Sequence, residues 1–364
     1  MIYKLGQVCS RLSSGKSISS KLISSKGTFP VYGGNGLRGY TEKYNFDGEC
    51  AIIGRQGAFC GNVRFFSGKA YMTEHAIVVC TDDKNDTRYL AYLLSSLHLG
   101  RLSGQSAQPG LSVKVLSQQE IDLPDLECQK KVSMVLSLLE KKISLNEMIN
   151  RNLEDQAITL FYEKFIEHVP DGEQKTLYEF AEYINGTSFK KNEYTTYGVP
   201  IIKIAELKNG ITSSTQYFSG VKDQKYNVKN GDILFSWSGN PDTSIDIFIW
   251  THGNGILNQH TFNVKWKSRH KWFTYLLLKS FKPKFTAIAS NKQTTGLGHI
   301  TIADLKRLKF VYSGDAIDKF ETEVTPLMEE IYSLMTENIQ LNHMRDTLLP
   351  KLMSGELDVS KENF

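Results

Sequence analysis

Along residues 126–168, apolar positions step by four and three. Val132, Leu136, Leu139 and Ile143 are followed by Leu153, Ala157 and Leu160, with Asn146 and Asn150 at the same seam. A second stripe runs through Phe320, Val324, Leu327, Ile331, Leu334, Leu341 and Leu348, with Asn338 and Arg345 in its seam. An alternating four-three step is the heptad of a coiled coil. Neither helix can bury such a stripe alone, so the pattern predicts that the two pair with each other. Each is expected to run about 35 residues, roughly 50 Å at the rise of an α-helix. A seam Asn costs stability but fixes register, because a slipped pairing strands its amide.

Outside the stripes the pattern shortens to brief apolar runs, several of them beside glycine, and the order of these features repeats. Gly48-Glu49-Cys50-Ala51-Ile52-Ile53 leads into Gly54-Arg55-Gln56-Gly57; roughly 185 residues later, Gly231-Asp232-Ile233-Leu234-Phe235 leads into Ser236-Trp237-Ser238-Gly239. Glu74-His75-Ala76-Ile77-Val78-Val79 is echoed by Gln259-His260-Thr261-Phe262-Asn263-Val264. A short apolar helix is expected at residues 89–94 and again at 272–278. Each copy then has a polar loop ending in Gly-Leu (Gly110-Leu111, Gly296-Leu297) and closes with its heptad helix. The fold class predicted is α+β. Two mixed α/β domains, 1–125 and 169–312, are joined by two long antiparallel coiled-coil helices, 126–168 and 313–364 with the C-terminal tail, as a pseudo-two-fold repeat. An antiparallel pairing would set the two domains at opposite ends of one rod.

Charge follows the same partition. Residues 1–125 hold 14 basic and 10 acidic side chains, and residues 169–312 hold 19 and 11. The helical segments are neutral to acidic, with 6 against 7 in 126–168 and 4 against 11 in 313–364. Basic domains suit a polyanion, and acidic segments suit a protein partner. The five cysteines include no Cys-x-x-Cys pair, which argues for buried thiols rather than zinc ligands or disulfides. No run of eighteen apolar residues occurs, and the first residues lack the signal-peptide pattern, so a cytoplasmic location is expected.

Two basic domains at a fixed separation can select two short DNA sequences at a fixed spacing. Basic surface supplies affinity through counterion release. Sequence must be read at base edges by Arg, Lys, Asn and Gln, and glycine-flanked loops supply such residues here. The candidate DNA contacts in the first domain are Asn35, Arg38, Arg55, Gln56, His75, Gln105, Gln108 and Lys114. In the second they are Lys190, Lys191, Ser236, Ser238, Asn240, Gln259, His260, Lys292, Gln293 and Thr294. Arg55-Gln56 stands where Trp237-Ser238 stands, so the two readers should prefer different bases.

Several strings look catalytic and are read otherwise. Gly34-Asn35-Gly36-Leu37-Arg38-Gly39 fits Gly-x-Gly-x-x-Gly but lacks the strand before it and the helix after it. Asn240-Pro241-Asp242 resembles the start of an adenine-methyltransferase motif without its second Pro or its aromatic. Asp232 and Glu49 follow matching glycines and read as turn-capping groups. No carboxylate cluster suited to Mg²⁺ appears. The chain is therefore read as non-catalytic.

Taken together, the chain resembles the specificity subunits of type I restriction-modification systems over essentially its whole length. The likeness rests on the repeat of domain plus long helix. It also rests on Phe29-Pro30-Val31-Tyr32-Gly33-Gly34-Asn35-Gly36, on Gly231-Asp232-Ile233-Leu234-Phe235-Ser236-Trp237-Ser238-Gly239 with Leu257-Asn258-Gln259-His260, and on the tail Arg345-Asp346-Thr347-Leu348-Leu349-Pro350-Lys351-Leu352-Met353-Ser354-Gly355-Glu356-Leu357. The resemblance implies that the two domains are target-recognition domains reading the halves of a split double-stranded DNA target. It implies two methylation subunits docked on the helices, and restriction subunits joining the same complex. S-adenosylmethionine, ATP and Mg are then expected on the partner subunits, with no cofactor on this chain. The alternative is a free-standing DNA-binding regulator with the same fold and no methylation partner.

Overall fold

Residues 50–54 carry no charged or amide side chain, the composition of a strand covered on both faces. In the computed structural model, which describes residues 1–103, 110–267, 269–293 and 296–359, they are buried throughout and lie inside a six-stranded sheet. That sheet belongs to a first unit, Met1–Lys142 with Leu341–Phe364. The strands of this unit are β1 (Ile2–Lys4), β2 (Cys9–Ser14), β3 (Phe29–Gly33), β4 (Gly36–Thr41), β5 (Phe46–Gly54), β6 (Val63–Met72), β7 (Ala76–Thr81) and β8 (Glu120–Asp122). Its helices are α1 (Thr87–Ser96), α2 (Val113–Ser117) and the first part of α3 (Leu126–Tyr162). The sheet order is β2-β7-β5-β6-β3-β4, antiparallel except where β3 meets β6.

Side chains alternate across a strand, and the two faces of this sheet build two cores. Ala51, Ile53, Ile77 and Val79 pack with the buried face of α1; Cys50, Ile52 and Val78 pack with Met72 on the other side. The Asp86 carboxylate caps α1 by accepting from the Tyr89 N–H at 2.6 Å, and it also accepts from Ser133 Oγ of α3 at 2.6 Å. Tyr92 Oη donates to Glu140 of α3 at 2.7 Å. Val132 and Leu136 thereby enter the same core as Leu352, from the last helix of the chain.

The second unit is Ile143–Gln340. Its strands are β9 (Glu173–Thr176), β10 (Ala181–Asn185), β11 (Val199–Ile202), β12 (Tyr217–Phe218), β13 (Asn227–Val228), β14 (Ile233–Ser236), β15 (Ser238–Gly239), β16 (Asp246–Ile249), β17 (Gly255–Leu257), β18 (Thr261–Trp266), β19 (Gly298–His299) and β20 (Lys309–Tyr312). Its helices are α4 (Leu177–Phe180), α5 (Ile204–Asn209), α6 (Pro241–Ser244), α7 (Lys271–Ser280), α8 (Lys282–Asn291), α9 (Ile302–Arg307) and most of α10 (Gly314–Met353). Two four-stranded sheets form, ordered β10-β18-β14-β16 and β12-β11-β17-β13. Ile233, Phe235, Phe262 and Val264 pack on α7, together with Phe161 of α3 and Phe320 of α10. Glu321 of α10 accepts from the N–H groups of Trp272 and Phe273 at 2.9 and 2.7 Å, satisfying buried donors at the start of α7 that have no partner within the helix.

The duplication expected from motif order recurs in the backbone hydrogen bonds. Leu5 N–H donates to Gln119 O at 2.9 Å, and Leu177 N–H to Leu308 O at 2.9 Å. Gly15 N–H donates to Ala76 O at 3.0 Å, and Gly186 N–H to Thr261 O at 3.0 Å. A parallel strand pair in each unit also matches: Tyr32 pairs with Met72, and Ile202 with Leu257. Gly15 and Gly186 share a reason to be glycine. A Cβ on either would come within 2.1 Å of a carbonyl oxygen on the crossing chain, that of Met72 or of Asn258.

Both heptad stripes form long helices, of 37 residues in α3 and 40 in α10. Within the second unit they run antiparallel: the Asn146 region of α3 meets Asn338 of α10, while Phe161 meets Phe320 in an edge contact at 5.7 Å. Fully buried Asn146 donates from Nδ2 to Glu337 Oε2 at 2.7 Å and to Asn338 Oδ1 at 2.9 Å. The stripe shifts by one position toward the domain core. Phe161 and Met328 are buried where Leu160 and Leu327 were expected, because a straight helix drifts from a 3.5-residue repeat. The five cysteines are free, and burial pushes the thiols of Cys9 and Cys50 up to about 12. No helix among the described residues is long and apolar enough to cross a membrane.

Candidate nucleic-acid interface

In the first unit, three chain reversals converge at one end of the sheet. The turn between β3 and β4 carries Gly34 and Asn35; β5 ends at Gly54 and passes into Arg55; the turn between β6 and β7 carries Glu74 and His75. Arg55 N–H donates to His75 O at 3.0 Å, and Arg55 O accepts from Leu111 N–H at 2.8 Å. Gly34 fits between them, since a Cβ there would lie 2.9 Å from His75 O and 3.5 Å from Arg55 N. The Arg55 guanidinium reaches Glu74 O at 3.4 Å, and His75 Nε2 lies 3.4 Å from Glu74 Oε1. Arg55 is half-buried, while Asn35, Arg38, Gln56 and His75 are exposed. The bridge from Gln56 to Gly110 and the bond to Leu111 bring the exposed Lys114 of α2 into sequence reach of the same end. Gln105 and Gln108 lie outside the described residues.

The second unit rebuilds this frame with other side chains. Trp237 N–H donates to His260 O at 3.4 Å, and Trp237 O accepts from Ile300 N–H at 2.8 Å. Trp237 thus replaces Arg55, His260 replaces His75, and Gln259 replaces Glu74. Gln259 and His260 are exposed, with Gln259 Nε2 and His260 Nε2 3.3 Å apart. Ser238 is half-buried and pairs with His299.

The other candidates are placed differently. Ser236 is fully buried. Asn240 uses its Oδ1 to cap α6, accepting from the N–H groups of Asp242 and Thr243 at 3.1 Å each, with Pro241 in the first turn. Asn240-Pro241-Asp242 is therefore a helix start, which accounts for those residues without a flipped base. Lys292 is tied to Asp304. Gln293 donates to Gly296 O at 3.0 Å, and Thr294 lies outside the described residues. Lys190 and Lys191 are exposed, in and beside the turn that follows β10.

Contrary to expectation a strand, β3, does precede the Gly34–Gly39 string, but the string is a hairpin turn entering another strand and no helix opens on it. Asp232 does cap a turn, accepting from Lys229 N–H at 3.0 Å, and it also pairs with Lys265 at 2.9 Å, whereas Glu49 lies inside β5 opposite Ser67, where the turn-capping reading fails. Among the described residues no group of three His, Cys, Asp or Glu side chains could hold a metal ion. Sequence reasoning overlooked Arg64. Its guanidinium occupies the space that a Cβ on Gly36 would enter (3.0 Å), and with His98 and Arg101 it lines a cavity of about 690 Å³ in the first unit. Glu74 and Asn185 were also overlooked, because a carboxylate and a strand-end amide carry no reading signal in isolation.

Comparison with known proteins gives a consistent result. The family described as "Type I restriction modification DNA specificity domain" matches residues 1–155 and 171–312. The EcoprrI specificity subunit of Escherichia coli is 40% identical over 108 residues, covering 30% of this chain and 27% of that subunit. The MjaIX specificity subunit of Methanocaldococcus jannaschii is 28% identical over 312 residues, covering 76% of this chain and 70% of that subunit. The solved S subunit of a type I restriction-modification system from M. genitalium shares the fold, with a TM-score of 0.65 at 18% identity, covering 97% of this chain and 95% of that one.

Proposed function

This chain belongs to the type I restriction modification DNA specificity family, and from that premise we propose that it is the DNA-recognition subunit of a type I restriction-modification complex. It reads an asymmetric, two-part target and leaves bond chemistry to partner subunits. Residues 1–125 and 169–312 are the two target-recognition domains; residues 126–168 and 313–364 are the spacer. S-adenosylmethionine, ATP and Mg belong to the methylation and restriction subunits, in the cytoplasm.

The observation that carries this reading is one hydrogen-bond frame used twice with different side chains. Arg55, Glu74 and His75 occupy it in the first unit; Trp237, Gln259 and His260 occupy it in the second. A guanidinium and a carboxylate match guanine and cytosine edges, whereas an amide matches adenine. Two frames with unlike chemistry call for two unlike half-sites. The basic balance of both domains supplies the sequence-independent part of the affinity.

Docking of methylation subunits on the helices has its own support. Met134 and Leu138 of α3 in the first unit, and Leu145 and Met148 of α3 in the second, are large apolar side chains left more than a third exposed. Such residues favour a protein partner over water.

The test is a map of adenine methylation in cells with and without this chain, together with co-purification of a methylation subunit. The expected result is a split, non-palindromic motif methylated only when the chain is present. A palindromic motif would refute the two unlike readers. Absence of any co-purifying methyltransferase would favour a free-standing regulator.

A further inference from the structure

The repeated frame differs most at one position, and the difference decides which side chains can reach a base. In the first unit the frame residue is Arg55, whose guanidinium has several donors and makes one long bond, 3.4 Å, to Glu74 O. In the second it is Trp237, which has a single donor and no acceptor. That donor is already used: Trp237 Nε1–H donates to Asn185 Oδ1 at 3.0 Å. Trp237 therefore has nothing left with which to read a base edge.

Its ring instead links the core to the exposed turn. One neighbour is Phe262, a core residue, at 5.6 Å between centroids and 30° between planes; the other is His260, at 5.6 Å and 59°. The turn bearing Gln259 and His260 is closed by Thr261 N–H to Asn258 O at 3.2 Å and held at its start by Asn258 N–H to Ile202 O at 3.0 Å. Asn185 lies opposite Phe262 in the β10–β18 pair, where the first unit has Ser14 opposite Ile77. Neither the Asn185 acceptor nor the indole it holds has a counterpart there.

We infer that Asn185 and Trp237 are positioning residues for the second domain: Asn185 fixes the indole, and the indole fixes Gln259 and His260 as the pair that reads the second half-site. This rests on the proposed function, since it assumes that the second domain reads DNA. The exposed amide of Gln259 offers a donor and an acceptor side by side, the arrangement that pairs with adenine in the major groove.

The experiment is selection from a random double-stranded DNA pool by the full-length chain with its methylation subunits, followed by competition between matched and scrambled half-sites. The reading is the ratio of matched to scrambled binding, from which uniform electrostatic changes cancel. Trp237→Phe keeps an aromatic ring on Phe262 and removes the Nε1 donor together with part of the ring; Asn185→Ala changes an exposed strand end. Each is expected to lower the second half-site ratio about tenfold or more, with the first unchanged. The double variant should fall no further, because both changes delete one bond. Asn185→Asp retains the acceptor and should keep the ratio within about threefold of the original while weakening all DNA binding uniformly.

An unchanged second half-site ratio in Asn185→Ala overturns the inference and leaves the proposed function standing. So does an equal loss in Asn185→Asp, which would mean that the hydrogen bond is not the agent. If the unaltered protein selects no two-part site, the proposed function itself fails and the inference falls with it.

Discussion

Asn146 donates from its amide nitrogen to the amide oxygen of Asn338 at 2.9 Å, from the centre of one long helix to the centre of the other. The same nitrogen reaches Glu337 Oε2 at 2.7 Å, and Asn338 returns a bond to Ile143 O at 3.3 Å. A buried polar knot of this kind is paired in one register only. Asn146→Leu removes the donor and keeps the partners in the seam, so it should destabilise the protein by about 1–3 kcal/mol. Replacing Asn146 and Asn338 together by Leu should recover most of that loss and loosen register instead. Urea unfolding of the three proteins measures both effects.

On the proposed function, Arg55 and Gly34 bear on the first half-site alone. Arg55→Ala should cost about 1–3 kcal/mol of discrimination there and leave the second half-site intact. Gly34→Ala places a methyl 2.9 Å from His75 O and should push the hairpin turn off the frame, with the same half-site loss. Footprinting on a split target separates the halves. Equal loss at both would rule out Arg55 as a reader of one.

Asp246 ties α7 and α8 to the sheet through Lys279, at 3.1 Å, and Lys282. Burial pushes its carboxyl up, but the two ammonium groups outweigh burial and hold it below the ordinary value of 3.8. Its folded form therefore binds a proton less readily than the unfolded chain does. The stabilisation is present above pH 3.8 and disappears as pH falls through the lowered folded value. Asp246→Asn should be less stable than the original at neutral pH, with the gap closing on acidification. A gap that does not change with pH would contradict the assignment.

Asp86 serves two elements with one carboxylate, the start of α1 and Ser133 of α3. Asp86→Ala should cost about 1–2 kcal/mol, the upper part of the range for a helix cap, because a buried hydroxyl loses its acceptor as well. Ser133→Ala should cost less, since the cap itself survives. Thermal unfolding of the two variants ranks them.

Both long helices, the doubled order of motifs and the family could be read from the chain alone. A heptad stripe needs a partner whatever the surroundings, and Gly-flanked apolar runs mark strands locally. The turn-capping role of Asp232 was legible for the same reason: it depends on neighbours within a few residues. The individual contacts were less so. Lys292 and Asn240 look like DNA ligands in the sequence, yet the Lys292 ammonium pairs with Asp304 and the Asn240 Oδ1 caps α6. Ser236 stands beside Trp237 in the chain but is buried, because successive residues of a strand face opposite sides.

Local pattern by itself determined that this protein has two similar domains and two helices that cannot stand alone, since periodicity and turn chemistry act over a few residues. Only the tertiary structure decided which bonds hold Arg55 and Trp237 in their equivalent places, and that Asn185 occupies the donor of the second. Those relations depend on strands distant in sequence coming to within 3–4 Å. No window along the chain contains both ends of such a bond.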